Sequence, residues 1–212
     1  MLTFDVRDDA GEGVAAAVAA LRRGALAVLP TDTVYGIAAD AFSPAAVARL
    51  LAAKGRGRDM PVPVLVGAWR GIDGLAADVS GTMRSLVESC WPGPLTLIVR
   101  SAPSLAWDLG ETRGTVAVRM PEHPAALAVL AETGPLAVSS ANRTGLPPAT
   151  SMAQAVEQLG DAVAVYLDGG DAATGIPSTI VDLTGARPRL RRAGALDADR
   201  LRALLPDLEE SA

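Results

Sequence analysis

The sequence predicts an α/β fold, in which a mixed β-sheet is flanked by helices. Half of the 212 residues are hydrophobic but only 3% are aromatic, so the core must consist of Ala, Val, Leu and Ile side chains, as in helices packed on a sheet. Apolar strand patterns alternate with helix patterns in some places and follow one another directly in others, which is typical of a mixed sheet. A chain of this length buries about 70% of its unfolded surface, enough for a full core without disulfides.

The helices are predicted from Ala/Leu-rich segments with recognisable ends. The first is Ala-rich, carries arginines in its last turn and stops at Gly24. The second begins with Ser43 as N-cap and Pro44 in its first turn, and Gly55 ends it. Helices are predicted, in chain order, over residues 11–24, 43–55, 80–91, 123–134, 151–160 and 197–205.

The strands are predicted from short apolar runs bounded by Gly, Pro and polar residues. The first of them, "ALAVLP", lies between a Gly and a Pro, and the later runs "LTLIVR" and "TVAVRMP" are rich in β-branched residues. Strands are predicted over residues 25–30, 62–67, 95–100, 115–121, 135–142, 162–170, 178–185 and 188–194. No internal repeat or clear boundary divides the chain, so we expect a single domain over residues 1–212.

Composition limits the compartment and the partners. The single cysteine, Cys90, rules out an internal disulfide framework and is typical of a reducing cytoplasm. The N-terminal segment lacks the apolar stretch of a signal peptide, and no apolar run reaches the roughly 18 residues of a membrane span. We therefore expect a cytoplasmic location and no membrane contact. The net charge of −5 argues against non-specific nucleic-acid binding but leaves room for a local basic site.

Several common catalytic patterns do not occur in the sequence. It contains neither GxxxxGK[ST] nor GxGxxG, and its one histidine, His123, leaves no histidine cluster for a metal. Because His123 stands where a helix is predicted to begin, we interpret it as structural rather than as a general base. A chain without an obvious nucleophile–base pair must catalyse by holding reactants together and by stabilising charge.

Polar residues, mostly small hydroxyl residues and arginines, collect where predicted strands begin or end. They are Thr31, Asp32, Thr33, Tyr35, Arg119, Ser139, Ser140, Asn142, Ser178, Thr179, Arg191 and Arg192. Each could be an ordinary turn or cap residue, but ligands of α/β sheets bind where loops leave the strand ends. Together with Lys54, Arg56 and Arg58, these residues predict a polar, cationic pocket for an anion.

The choice of lysine at position 54 is itself informative. The chain has 18 arginines and only this one lysine, at the end of a predicted helix and beside two glycines. Lysine is a compact point charge with three donors, whereas arginine is a flat fork, so lysine suits a crowded site. A cation at a helix C-terminus is also favourable without any function.

Seven segments occur in the order found in the YrdC-like family of threonylcarbamoyl-AMP synthases, which the chain resembles. They are "PTDTVYGIAADA", "AAKGRGRDMPVPVLV", "WPGPLTLIV", "TVAVRMPEHP", "SSANRTGLPPATS", "GIPSTIVDLTG" and "LRRAG". The resemblance covers about residues 15–195, leaves a C-terminal tail at 196–212 and matches the short, single-domain form of the family.

The resemblance implies a twisted mixed sheet around a concave, positively charged cavity. It also implies a nucleotidyltransferase that makes threonylcarbamoyl-AMP and pyrophosphate from L-threonine, bicarbonate and ATP. The product would pass to a tRNA threonylcarbamoyltransferase complex that modifies adenosine 37 of tRNA. Mg²⁺ is expected to accompany ATP, with Asp32 as the nearest protein candidate and no dedicated metal site.

The resemblance also implies roles for individual residues. L-Threonine would be contacted by Thr31, Arg119 and Ser178. Catalysis would depend on Lys54 and Arg56, near the phosphates and the bicarbonate-derived carboxylate. ATP would be contacted by Lys54, Arg58, Thr115, Ser140, Asn142 and Arg192.

Three positions depart from the family pattern. Gly57 and Ser139 stand where members often have proline, and Leu65 where some have histidine.

Two other functions compete with the synthase. One alternative is a double-stranded RNA or tRNA-binding protein of the same fold, suggested by the basic run "ARPRLRR". The other is a carbamoyl-transfer module, but such proteins carry further acylphosphatase and zinc-finger segments.

Overall fold

Within residues 1–210, which the computed structural model describes, eleven strands form one continuous mixed sheet. The strands are β1 (Leu2–Asp5), β2 (Ala27–Leu29), β3 (Gly36–Asp40), β4 (Val64–Leu65), β5 (Leu95–Arg100), β6 (Thr115–Arg119), β7 (Leu136–Ser140), β8 (Val165–Asp168), β9 (Thr179–Asp182), β10 (Arg189–Arg192) and β11 (Glu209–Glu210). The helices are α1 (Gly11–Arg22), α2 (Pro44–Lys54), α3 (Ile72–Leu75), α4 (Gly81–Cys90), α5 (Pro124–Thr133), α6 (Met152–Leu159) and α7 (Ala198–Leu204).

The sheet order is β1-β8-β2-β3-β7-β4-β6-β5-β9-β10-β11. Five neighbouring pairs are parallel, namely β1–β8, β8–β2, β4–β6, β5–β9 and β10–β11, and the other five are antiparallel. The prediction of a mixed sheet flanked by helices is therefore confirmed. The two-residue strand β4 joins the two halves of the sheet, through Val64 and Leu65.

The helix ends follow the capping chemistry of the sequence. The Ser43 hydroxyl accepts a hydrogen bond from the Ala46 amide at 3.3 Å, and Gly55 ends α2 in the left-handed conformation, with φ of 61°. Ser80 and Ser151 cap α4 and α6 in the same way. All six predicted helices are present, each within its predicted range, and the short helix α3 was not predicted.

Two apolar clusters cover opposite faces of the sheet. The smaller cluster packs α1 and α5 against one face of the half of the sheet that runs from β1 through β8, β2, β3 and β7 to β4. Val138 of β7 and Leu65 of β4 are among its members. The larger packs the other helices against the opposite face along the whole sheet, with Ala137 and Val64 on the same two strands. Because strand side chains alternate between faces, neighbouring residues enter different clusters.

One half of one face remains without a helix over it. In β5 the residues Leu95, Leu97 and Val99 are buried in the larger cluster, which places Thr96 and Ile98 on the opposite face. β6 and β9 alternate in the same way. This uncovered face forms the floor of a cavity.

The C-terminal tail is partly integrated into the core. Of the expected tail 196–212, residues 211 and 212 lie outside the described part of the chain. Helix α7 packs Leu201 and Leu205 into the larger cluster, and β11 pairs with β10. None of the helices among residues 1–210 is long and apolar enough to cross a membrane.

Candidate functional site

A cavity of about 330 Å³ lies over the uncovered part of the sheet. Its floor is formed by side chains of β4 to β7 and β9, and its rim by the loops that leave them. Six of the residues expected to contact substrates line it, namely Thr31, Arg56, Arg119, Ser140, Ser178 and Arg192. The structure thus brings together side chains that are up to 161 positions apart in the sequence, from 31 to 192.

Arg119, at the end of β6, is held by three hydrogen bonds, one of them part of an ion pair. Its Nε donates to the Gly93 carbonyl at 2.9 Å, Nη1 to the Thr33 hydroxyl at 2.8 Å and Nη2 to Asp32 Oδ1 at 2.6 Å. Its side chain is only 8% exposed and that of Asp32 12%, so this is a buried ion pair. Burial lowers the pKa of Arg119, and the Asp32 carboxylate opposes that shift. A guanidinium has five N–H donors, so two remain for a ligand.

Thr31 and Thr33 form a hydroxyl turn after β2. The Thr31 hydroxyl donates to the Val34 carbonyl at 2.6 Å and lies 3.1 Å from the Thr33 hydroxyl. Both threonines are buried and line the cavity. Thr31 therefore lies in the cavity lining, and Thr33 additionally connects this turn to Arg119.

Ser178 and Arg192 lie together where β9 and β10 border the cavity. Arg192 Nε and Nη2 donate to the Ser178 carbonyl at 3.0 and 2.8 Å. The Ser178 hydroxyl lies 2.8 Å from that of Thr96, a cavity residue that the sequence did not single out. Strand alternation beside Leu95 and Leu97 was the only signal for Thr96.

Arg56 reaches the cavity from the loop after α2. It donates to the Met60 carbonyl at 2.8 Å, the Pro61 carbonyl at 3.1 Å and the Ser139 hydroxyl at 3.0 Å. Burial lowers the pKa of Arg56. Ser139, one of the departures from the family pattern, thus supplies an acceptor that a proline could not.

Lys54 lies outside the cavity lining, beneath the loop that follows β7. It is 3% exposed, and its Nζ donates to the carbonyls of Ser140 and Asn142, the latter at 2.6 Å, and to Asn142 Oδ1 at 3.3 Å. Burial lowers the pKa of Lys54 to about 8, with a smaller effect from Arg56. Lys54 therefore holds in place the backbone that presents Ser140 to the cavity.

Three other predicted ATP contacts also lie outside the lining. Arg58 is paired with Asp108 at 2.7 Å on the surface. The Thr115 hydroxyl donates to the Thr112 carbonyl at 2.8 Å, and Asn142 Nδ2 donates to the Leu146 carbonyl at 2.8 Å. These side chains are engaged locally, beside the cavity rather than in it.

The structure also shows the surroundings of the other two positions that depart from the family pattern. Leu65 lines the cavity floor and also belongs to the smaller cluster, so an apolar side chain is accommodated there. A Cβ at Gly57 would lie 2.2 Å from Asp59 Oδ1, which would force that carboxylate to move. Among residues 1–210, no group of three or more His, Cys, Asp or Glu side chains could hold a metal ion.

Comparison with known proteins places these features in a family. Residues 19–194 match the family model Sua5_yciO_yrdC, described as telomere recombination. A relative from Mycobacterium tuberculosis (strain H37Rv), named a putative threonylcarbamoyl-AMP synthase, is 55% identical over 96% of this chain and 94% of its own length. A relative from Bacillus subtilis named threonylcarbamoyl-AMP synthase is 35% identical over 91% of this chain and 56% of its own.

Solved structures agree in fold. The crystal structure of Pyrococcus abyssi Sua5 complexed with L-threonine matches 99% of this chain with a TM-score of 0.93 and 31% identity. The chain spans 62% of that protein's length. The structure of E. coli YciO matches 92% of the chain with a TM-score of 0.82, and at 22% identity it supports the fold alone.

Proposed function

The chain belongs to the Sua5–YciO–YrdC family, and from this membership we propose that it is a threonylcarbamoyl-AMP synthase. In this reaction L-threonine, bicarbonate and ATP give threonylcarbamoyl-AMP and pyrophosphate. The observation that carries the proposal is the cavity, where Arg56, Arg119 and Arg192 meet the hydroxyls of Thr31 and Ser178. Relatives from Pyrococcus abyssi and Bacillus subtilis are named threonylcarbamoyl-AMP synthase, and the one from Mycobacterium tuberculosis is named a putative one.

The chemistry needs positive charge more than it needs a nucleophile. The threonine amine attacks the bicarbonate carbon to form a carbamate, with loss of water. A carbamate oxygen then attacks the α-phosphorus of ATP, and the bond to the leaving pyrophosphate breaks. Since every reactant carries negative charge, cationic side chains reduce the repulsion and stabilise the charge of the phosphoryl transition state.

The geometry suits different cavity residues to different substrates. Two unused N–H groups on Arg119, beside the Thr31 turn, suit the carboxylate of L-threonine, and Ser178 lies on the same floor. Ser140 and Arg192 suit ATP, and Arg56 suits the phosphates and the carbamate.

The residues that were expected to contact ATP but lie outside the cavity lining need separate roles. We propose that Lys54 acts through the Ser140 backbone that it holds, and that Asn142 shares this task. Arg58 and Thr115 would reach ATP only at the edge of the cavity.

The proposal also covers the metal ion and the protein complex that receives the product. Mg²⁺ would enter bound to ATP, because Asp32 is engaged with Arg119 and lies outside the cavity lining. The product is a reactive mixed anhydride, which suits direct transfer to a tRNA threonylcarbamoyltransferase complex in the cytoplasm.

The test is a reaction of the purified protein with ATP, Mg²⁺, L-threonine and bicarbonate, followed by mass spectrometry. We expect threonine- and bicarbonate-dependent threonylcarbamoyl-AMP, little adduct with serine, and loss of product on chelation of Mg²⁺. Arg119→Lys should raise the KM for L-threonine at least about tenfold, since it removes the planar fork.

Arg84→Lys is the matched control, because Arg84 pairs with Asp73 on the surface at 2.9 Å and lies outside the cavity lining. A folded protein that binds ATP but forms no adduct would refute the proposal. Binding of tRNA that weakens steeply with salt would then favour the RNA-binding alternative.

A further inference from the structure

Two buried polar atoms lie without hydrogen-bond partners next to the Arg119 ion pair. Within the described residues, they are Asp32 Oδ2 and His123 Nδ1, and no other buried side-chain nitrogen or oxygen shares this condition. Buried polar groups are normally paired, so two orphans at one place call for an explanation.

The two side chains are brought together by the backbone. Asp32 Oδ1 accepts both from Arg119 Nη2 at 2.6 Å and from the Glu122 amide at 2.8 Å, so the carboxylate is fixed against the segment that carries His123. Asp32 itself lies outside the cavity lining, whereas Arg119 lines it. The carboxylate is therefore a support of the guanidinium rather than a ligand of the cavity.

The imidazole is confined on its other side. A Cβ at Gly169 would lie 2.8 Å from His123 Nε2 and 2.8 Å from the Pro30 Cβ, so the ring packs closely against Gly169. His123 is also the N-cap residue of α5, yet its side chain makes no capping hydrogen bond. The usual structural role for a histidine at a helix start is thus unfulfilled.

The protonation states of the pair are complementary. Burial lowers the pKa of His123 and the Asp32 charge opposes this shift, so the imidazole is neutral at neutral pH and carries one N–H. A carboxylate only accepts hydrogen bonds. The tautomer with its proton on Nδ1 carries the kind of donor that Asp32 Oδ2 lacks, although the two atoms make no hydrogen bond with each other in this structure.

We propose that His123 is a positioning residue: when a substrate carboxylate binds Arg119, His123 Nδ1–H comes to donate to Asp32 Oδ2 and thereby holds the carboxylate that orients Arg119. This inference rests on the proposed function, in which Arg119 binds L-threonine. The contact is needed when substrate is bound, because a second carboxylate on Arg119 competes with Asp32 for the same guanidinium. A donor on the far oxygen of Asp32 then keeps that side chain in place.

The test compares His123→Asn with His123→Gln, which carry the same amide. The asparagine amide nitrogen occupies roughly the place of Nδ1, whereas the glutamine amide nitrogen occupies roughly that of Nε2. We expect His123→Gln to raise the KM for L-threonine about tenfold, the loss typical of a hydrogen bond to a charged group, with the KM for ATP unchanged. His123→Asn should restore the KM for L-threonine to within about threefold of wild type.

A double-mutant cycle gives an independent measurement. Asp32→Asn should raise the KM for L-threonine, and His123→Gln should add little to it, because both changes break the same support. Asp73→Asn is the control, since it removes an Arg–Asp pair outside the cavity lining.

The outcomes separate this inference from the proposed function. An active wild type in which both His123 variants have equal KM values, or in which the KM values for ATP and L-threonine rise together, overturns the inference alone. Additive effects of Asp32→Asn and His123→Gln also overturn it. A wild-type protein without threonine-dependent product overturns both.

Discussion

Lys54 shows why one lysine is retained in a chain that otherwise uses arginine. Its ammonium donates to three oxygens, the carbonyls of Ser140 and Asn142 and the Asn142 side chain, in a place that is 3% exposed. Three donors on one nitrogen match three convergent acceptors, which a planar fork could not. The reasoning that favoured a compact cation from sequence thus applies to backbone carbonyls, while its contact with phosphates stays a prediction.

The lowered pKa of Lys54 predicts an unusual dependence of stability on pH. Between the folded-state pKa of about 8 and the unfolded value of 10.5, the unfolded chain binds more protons than the folded one. Stability contributed through this group therefore rises with pH in that window. Relative to Lys54→Met, the free energy of unfolding of the wild type should rise by about 2 kcal/mol from pH 7.5 to pH 10.

Urea denaturation of both proteins at several pH values measures this difference. Groups shared by both proteins, including Tyr35 and Tyr166 with pKa values raised to about 12, cancel in the comparison. A difference that stays constant across the window would show that Lys54 keeps an ordinary pKa, and one that falls would show that folding raises it.

At the scale of elements, β10 is placed by a close backbone approach. A Cβ at Gly194 would lie 2.3 Å from the Pro177 carbonyl oxygen, 2.4 Å from Ser178 C and 2.5 Å from the Thr179 nitrogen. Only glycine lets the end of this strand pass so near the start of β9. This approach brings Arg192 onto Ser178.

Gly194→Ala should therefore separate Arg192 from Ser178. We expect a loss of about 1–3 kcal/mol in the free energy of unfolding, as for other overpacked sites, and a higher KM for ATP. Gly185→Ala is the control in the same hairpin, because its Cβ would meet its nearest neighbour at an ordinary 3.5 Å. Equal unfolding midpoints for the two variants would show that β9 and β10 adjust freely.

The elements that the sequence predicted are those with strong local signals. Caps such as Ser43 and Gly55 located the helices to within a few residues. Strand β3 was missed because "GIAAD" contains Gly, Ala and Asp, which are poor strand formers, and its pairing with β2 and β7 decides its conformation. The edge strands β1 and β11 and the short helix α3 were also missed, since each has only two to four residues.

The sequence predicted which residues belong to the site better than it predicted where their side chains lie. Residues at strand ends, such as Thr31 and Arg119, line the cavity because strand ends converge there. Thr96 was missed because the sequence does not say which face of β5 stays uncovered. Lys54 and Asn142 were expected at ATP but are engaged with each other, because the direction of a side chain at a helix end depends on tertiary packing.

At the scale of the whole molecule, the chain crosses between the two halves of the sheet several times. Strands β1 to β3 lie on one side of β4, β5 and β6 on the other, β7 and β8 on the first again, and β9 to β11 on the second. Neither half is continuous in sequence, so neither can complete its strands without the other. The cavity lies over the junction, where β7, β4 and β6 are adjacent.

This crossing pattern predicts that the chain unfolds as one unit despite its length. All three tryptophans, Trp69, Trp91 and Trp107, belong to or pack against the larger cluster, whereas α1 and α5 lie on the opposite face. Tryptophan fluorescence and far-UV circular dichroism therefore report on different regions. In urea the two signals should follow a single coincident transition. If the fluorescence changed at a clearly different urea concentration, the prediction would be wrong, and the region around the tryptophans would unfold separately from the rest of the chain.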